Sequence, residues 1–76
     1  MNLEGFVTEC FRKQLAAELV AVSVRPMAGT MQVRVTVNGR LLEAEAMAVE
    51  LMAELAELDR TVYVSVELGK GRLQLQ

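Results

Sequence analysis

The side chains that most often carry out chemistry near neutral pH are scarce in this sequence. It contains a single cysteine, Cys10, and no histidine. A cysteine nucleophile needs a neighbouring base, for which histidine is the usual choice. Cys10 also falls at helical spacing among Leu3, Val7 and Phe11, which predicts a thiol on a buried apolar stripe. We therefore interpret Cys10 as a core residue.

Two other segments contain residue types that occur in catalytic or phosphate sites. Glu43, Glu50, Glu54 and Glu57 would lie on one side of a helix, which predicts a solvated acidic face. The segment Gly69-Lys70-Gly71 lacks the serine or threonine of a phosphate loop and is predicted to lie in a hairpin. Cysteine and histidine at metal-ligand spacing are absent from the sequence. We predict no catalytic residue, metal site or cofactor, and hence a non-enzymatic protein.

The remaining candidates lie on the predicted strands. Strand alternation places Arg25, Arg34, Tyr63 and Arg72 on the sheet face opposite the apolar one. Arginine and tyrosine are enriched at protein interfaces, whereas lysine is depleted. The segments 19–42 and 61–76 together carry a net charge of +4 within a chain of net charge −2. These four residues are therefore the predicted interaction site.

Three interpretations of that face follow from its chemistry. In the first, the chain is an adaptor, scaffold or inhibitor that binds a larger protein or a second copy of itself through the sheet face or strand edges. In the second, the face binds nucleic acid, although RNA-binding sheets stack bases on two or three aromatic residues and this face has only Tyr63. In the third, it is an ordinary solvated face. The first is favoured.

An internal repeat with an offset of 42 residues predicts the architecture. Residues 19–25 align with 61–67, each block follows a helical segment, and six of sixteen aligned positions are identical. Matches between valine-rich strands arise by chance, but a glycine on a glycine and a glutamine on a glutamine are more specific. The identical pairs are Val20/Val62, Val22/Val64, Ser23/Ser65, Val24/Val66, Gly29/Gly71 and Gln32/Gln74.

Periodicity predicts a helix over 2–18 with Asn2 as its N-cap, and strands over 19–25 and 31–37. The loop between these strands is predicted to span Pro26 to Gly29. Val20, Val22 and Val24 are expected on one face. The predicted core contains Phe6, Phe11, Val22, Val35, Leu55 and Val64.

The segment 40–46 is ambiguous. Its Leu, Glu and Ala residues favour a helix, whereas Asn38-Gly39 is a strong signal for a two-residue hairpin that would make 40–46 a strand. Glu45 favours the strand, because a helix would turn it toward the apolar face. From Met47 onward a helix is predicted in both cases.

The predicted fold is an α+β two-layer sandwich in the order α-β-β-α-β-β. An antiparallel sheet of four strands, or five if 40–46 is extended, is covered on one face by two helices. The chain is expected to form one domain over 1–76, with repeat units at about 1–37 and 41–76. In the second hairpin, Glu67 would face Arg72.

Size and composition set the remaining expectations. The 76 residues are 53% hydrophobic, so a folded domain with a modest core is predicted, and a homodimer would supplement its stability. The single cysteine favours a reducing compartment, and the sequence shows no secretory signal or membrane span. A cytoplasmic location without membrane contact is therefore expected.

Overall fold

The computed structural model describes residues 2–69, which form two helices and three strands in the order α1-β1-β2-α2-β3. The elements are α1 (Leu3–Leu15), β1 (Leu19–Met27), β2 (Thr30–Val37), α2 (Leu41–Glu57) and β3 (Val62–Leu68). The sheet has the order β1-β2-β3, so β2 lies at its centre.

Helix α1 begins where the capping signal predicts. The side chain of Asn2 accepts a hydrogen bond from the backbone N–H of Gly5 at 3.1 Å, which satisfies one of the unpaired amides of the first turn. Glu4 lies in the first turn, and Arg12 and Lys13 lie in the last, so all three charges complement the helix dipole. The helix ends at Leu15, three residues before the predicted boundary.

The loop between β1 and β2 is shorter than predicted. Pro26 and Met27 continue β1, where they pair with Met31 and Thr30, so the predicted four-residue loop from Pro26 to Gly29 is wrong. Only Ala28 and Gly29 form the loop, with φ angles of +46° and +83°. Two consecutive positive φ angles match the twist of the flanking strands in a two-residue hairpin.

A bulge at the start of β1 turns the side chain of one valine away from the core. The pairing of β1 with β2 shifts between Leu19 and Ala21, which leaves Val20 as the extra residue. Val20 is 47% exposed, whereas Val22 and Val24 are half-buried against the core. The prediction that all three valines share one face is therefore wrong at Val20.

Residues 41–46 form the first turns of α2, so the helical alternative is correct and the additional strand is not formed. The N-cap Arg40 has a positive φ of +53°, which turns the chain into the helix. Its guanidinium donates to Glu43 at 3.0 Å and to the backbone carbonyl of Gln14 at 3.5 Å. Arg40 thereby ties the start of α2 to the end of α1. Glu45 is exposed in α2, so the expectation that a helix would turn it toward the apolar face is wrong.

The sheet is mixed rather than antiparallel. β1 and β2 pair antiparallel, but β2 and β3 pair parallel, with Val33 opposite Val64. Helix α2 carries the chain back along the sheet before β3 begins, so β3 runs in the same direction as β2. The prediction of an entirely antiparallel sheet is therefore wrong.

The core lies between the helices and one face of the sheet. Phe11 and Leu55, from the two helices, are buried with Val35 and Val64 from the sheet, as predicted. Phe6 and Val22 are only partly buried at its margin. The predicted fourth strand, which includes Arg72 and the repeat matches at Gly71 and Gln74, lies outside the described residues.

Candidate functional site

The site is the face of the sheet that the helices leave uncovered, referred to below as the open face. Side chains alternate along each strand, and buried Val33, Val35 and Val64 mark the covered side. The residues between them point the other way. Strand pairing arranges the open face in three cross-strand rows, which are Arg25–Gln32–Tyr63, Ser23–Arg34–Ser65 and Ala21–Thr36–Glu67.

The open face brings together three of the four predicted interaction residues. Arg25 and Tyr63 flank Gln32 in one row, and Arg34 occupies the centre of the next row between two serines. Tyr63 is 56% exposed, and both arginines are exposed. The fourth predicted residue, Arg72, lies outside the described residues. A phenol ring and two guanidinium groups therefore share one solvent-facing surface.

The charges of these two arginines are available to a ligand. Among residues 2–69, ion pairs join Arg12 to Glu9 and Arg40 to Glu18 and Glu43. In this part of the chain neither Arg25 nor Arg34 forms such a pair. An arginine that is not already bound to a carboxylate retains its planar set of donors for a carboxylate or phosphate of a partner.

A carboxylate marks one end of the open face. The Thr36 hydroxyl donates a hydrogen bond to the carboxylate of Glu67 at 3.3 Å. This contact holds Glu67 over the sheet, in the row beyond Arg34. The open face therefore carries positive charge at Arg25 and Arg34 and negative charge at Glu67.

The two sheet edges differ in the backbone groups that they offer. Gly69 donates its N–H to the carbonyl of Val37 at 2.8 Å. Since backbone groups alternate along a strand, the N–H and C=O groups of Val64 and Val66 point away from β2, to the outer side of β3. By the same alternation the outward groups of β1 include Pro26, which has no N–H.

A groove of about 380 Å³ runs beside the outer side of β3, where α2 overhangs it. Val49 is 62% exposed and Met52 is half-buried in this groove, next to Val64 and Val66 of the strand. Sequence reasoning missed this surface. The available signal was Val49, an apolar residue off the buried stripe of α2, seven residues after the exposed Leu42.

Gly69 was also missed as a packing position. A Cβ atom added there would lie 2.5 Å from the Thr36 methyl group, closer than side chains tolerate. At Gly69 the backbone therefore passes so close to Thr36 that the position favours a residue without a side chain.

Cys10 lines a different groove, between the two helices, together with Glu50 and Glu54 of α2. This groove has a volume of about 180 Å³, and Lys13 also lines it. Burial, and secondarily the charge of Glu54, raises the pKa of the Cys10 thiol, which disfavours the reactive thiolate. Within residues 2–69 no three acidic or thiol side chains are grouped as metal ligands.

No protein-family model, curated protein or solved structure matches this chain. Neither helix of the described region is long and apolar enough to cross a membrane. The functional interpretation therefore depends on the geometry of the open face and of the sheet edges.

Proposed function

We propose that this chain is a small non-enzymatic protein-interaction module of the adaptor, scaffold or inhibitor type, which binds a larger protein partner through its open face. The observation that supports the proposal is the grouping of Arg25, Arg34 and Tyr63 on the side of the sheet that neither α1 nor α2 covers. Arg and Tyr are the residue types that most often dominate binding energy at protein interfaces.

Charge indicates the kind of partner. The face displays two arginines without a carboxylate partner in the described chain, flanked by the hydrogen-bonding groups of Gln32, Ser23 and Ser65. A surface with this pattern complements exposed aspartate and glutamate side chains. We propose an acidic surface of a folded protein as the ligand.

Self-association through a strand edge is part of the same proposal. The core is small, and edge strands expose unpaired backbone groups that a second copy can satisfy. We also propose that a fourth strand completes the sheet and that the chain is an internal duplication of a helix–hairpin unit.

Nucleic acid is the second candidate, because Arg25, Arg34 and Tyr63 share one sheet face as they would in a single-strand binder. The described face offers a single aromatic ring for base stacking, which favours the protein partner. The dependence of binding affinity on salt concentration distinguishes a nucleic-acid ligand from a protein partner. Phosphate contacts make the affinity fall steeply with salt concentration, whereas a mixed protein interface gives a shallower dependence.

The test compares three immobilised forms of the chain in a native host extract, with and without nuclease. They are the unaltered chain, the double variant Arg34→Ala/Tyr63→Ala and the control Leu58→Ala/Arg60→Ala. The control alters an exposed apolar residue and an exposed arginine in the connection between α2 and β3, outside the strands that form the open face. A partner captured by the unaltered chain and by the control is then purified, and its affinity for all three forms is measured by titration.

We expect the double variant to bind the purified partner about 30-fold more weakly, which corresponds to about 2 kcal/mol. Its thermal melt should match that of the unaltered chain, because exposed positions away from the core change stability little. Equal affinity of all three forms with normal melts would contradict the proposal. Loss of capture after nuclease treatment would favour nucleic acid.

A further inference from the structure

The outer edge of β1 carries backbone groups that bond to no other strand in the part of the chain that the structure describes. The carbonyl of Val37 accepts a backbone hydrogen bond from the chain just after β3, so the backbone groups of Val37 point toward β3. By alternation those of Arg34 point toward β1, where Ser23 is its pairing partner. The backbone N–H and C=O groups of Val22 and Val24 therefore point outward, and the sheet order places no described strand beside them.

A groove of about 410 Å³ runs along this edge, between β1 and α1. Val22 lines it from the strand. Three polar residues line it from the helix, namely Glu4, Thr8 and Arg12. The side chains of Val22 and Val24 are half-buried on the helix side of the sheet. An added strand would satisfy the outward backbone groups and extend the cover of both valines at once.

We propose that β1 of a second copy of this chain, the partner subunit, occupies this edge, antiparallel to β1 and related to it by a two-fold axis at Ser23. The inference deepens the proposed function and rests on its self-association, for which it names the edge, the register and the contacts. In this register Val22 lies opposite Val24 of the partner subunit, and their outward groups meet in hydrogen-bonded pairs. The arrangement is isologous and closed, and it joins the six described strands of the two copies into one sheet.

Two irregularities of β1 select this register. Pro26 points its backbone outward but has no N–H, and Val20 is the extra residue of the bulge. With the axis at Ser23, Pro26 lies opposite the partner's Val20, so the two irregular residues fall together at the ends of the pairing. An axis at Val24 would place Pro26 opposite the partner's Val22 and leave the carbonyl of that valine without a donor. An axis at Val22 would place the bulge opposite Val24.

The open faces of the two copies complement each other in charge across the axis. Arg25 lies opposite the partner's Ala21 in this register. The same row continues to the partner's Thr36 and then to the partner's Glu67. Two strand spacings, about 10 Å, separate the Cα atoms of Arg25 and the partner's Thr36, and the small side chain of Ala21 leaves the path between them open. Because Thr36 holds the Glu67 carboxylate by a hydrogen bond, an ion pair between Arg25 and the partner's Glu67 fits this dimer.

The groove residues of α1 are complementary in the same way. Glu4, Thr8 and Arg12 follow each other at intervals of four residues, so they form one stripe along the helix. The two-fold axis reverses the direction of the partner's helix, which places the acidic end of each stripe toward the basic end of the other. The groove beside β3 differs, because Glu45 is the only charged residue that lines it in the described chain. Two copies paired there would bring only negative charges together, so β1 is the edge that suits a second copy.

A disulfide at the axis tests the register in the full chain. Ser23→Cys, in a Cys10→Ser background, places a thiol opposite its own copy, at facing positions that share no hydrogen bonds. The Cα atoms of such a pair lie about 4.5 Å apart, within the range that a disulfide spans. We expect a disulfide-linked dimer under mild oxidation, identified by non-reducing electrophoresis and peptide mapping.

The matched control is Ser65→Cys in the same background, at an exposed serine of the same cross-strand row. Its two copies would lie five strand spacings, about 24 Å, apart, so it should form the linked dimer at least about tenfold less. Equal cross-linking of the two variants would overturn the proposal, as would a folded Ser23→Cys protein that forms no linked dimer. A linked dimer from Ser65→Cys alone would assign the second copy to β3 and overturn it as well.

Exchange of charges in the α1 stripe provides an independent measurement that needs no new cysteine. Glu4→Arg and Arg12→Glu each place like charges across the axis and should weaken dimerisation about tenfold. The double variant restores opposite charges and should dimerise within about threefold of the unaltered chain. Both changes oppose the dipole of α1, so recovery in the double variant cannot come from helix stability. Sedimentation equilibrium at several concentrations measures the dissociation constants.

A double variant that dimerises no better than the single variants would overturn the proposal, as would a monomeric unaltered chain at every concentration. Neither measurement involves the larger partner of the open face. A monomeric chain whose partner binding is still weakened by Arg34→Ala/Tyr63→Ala would refute this dimer and support the proposed function. A cross-linked dimer whose binding is unaffected by those substitutions would do the reverse.

Discussion

Replacing Phe11 by alanine tests whether α1 is packed against the sheet as the structure indicates. Phe11 is fully buried, with 0% of its surface exposed, and belongs to the cluster that contains Val35 and Leu55. Phe6, five residues earlier on the same helix, is only partly buried at the margin of this cluster. The same substitution at both positions therefore compares full burial with partial burial.

The magnitude follows from the burial of the two rings. Truncating a fully buried phenylalanine leaves a cavity and typically costs about 3–5 kcal/mol. At Phe6 the loss should be smaller, about 1–2 kcal/mol, because the ring is only partly buried at the margin of the core and its removal leaves a surface recess rather than a closed cavity. A chain of 76 residues has a total stability of about 4–11 kcal/mol, so Phe11→Ala removes a large share of it.

The assay is urea denaturation followed by far-UV circular dichroism, with thermal melts alongside. We expect Phe11→Ala to lower the melting temperature by about 12–40 °C or to leave the chain unfolded. Phe11→Leu keeps much of the volume and should give a folded protein with an intermediate loss, which makes the cost measurable even if the alanine variant does not fold. Equal costs for Phe11→Ala and Phe6→Ala would refute the packing of α1 described above.

Three further predictions concern assembly, pH and reactivity. Light scattering at micromolar concentration should give about twice the monomer mass of 8.4 kDa, and a mass near 8.4 kDa at every dilution would contradict the homodimer. The hydrogen bond from Arg40 lowers the pKa of the Glu43 carboxyl below its ordinary value of 4.5. The Arg40–Glu43 pair therefore stabilises the fold above pH 4.5, and this stabilisation is lost as the pH falls through the lowered pKa of Glu43. Thermal melts of Glu43→Gln should therefore fall less steeply between about pH 5 and pH 3 than those of the unaltered chain, whereas parallel curves would show that the pair contributes nothing. Because burial raises the pKa of the Cys10 thiol, a thiol reagent at neutral pH should modify it more slowly in the folded chain than in urea, and equal rates would count against its position between the helices.

Much of the fold follows from local patterns. The N-cap at Asn2, the buried stripe that includes Phe11 and the apolar alternation of β2 could all be predicted, because each depends on residues a few positions apart. The common face of Arg25, Arg34 and Tyr63 has the same origin. In a strand with uninterrupted pairing, successive side chains point to opposite faces of the sheet. The orientation of one side chain therefore determines that of the next.

The helical start of α2 shows where local patterns conflict. Asn38-Gly39 favours a hairpin and the residues after it favour a helix. In the folded chain the N–H of Asn38 bonds to the carbonyl of Glu18 at 2.9 Å, and Arg40 contacts the end of α1. These partners lie 20 or more residues away in the sequence, so the choice depended on contacts that neither short pattern contains.

The sequence by itself therefore determined the types of the elements outside residues 40–46, their buried sides outside the bulge at Val20, and the face shared by Arg25, Arg34 and Tyr63, because these depend on side-chain periodicity. Tertiary structure decided the parallel direction of β3, the bulge that exposes Val20 and the tight passage of Gly69 over Thr36. Each of these depends on which strands become neighbours and how closely they pack. Such pairings join residues distant in the sequence, and periodicity within one segment carries no information about them.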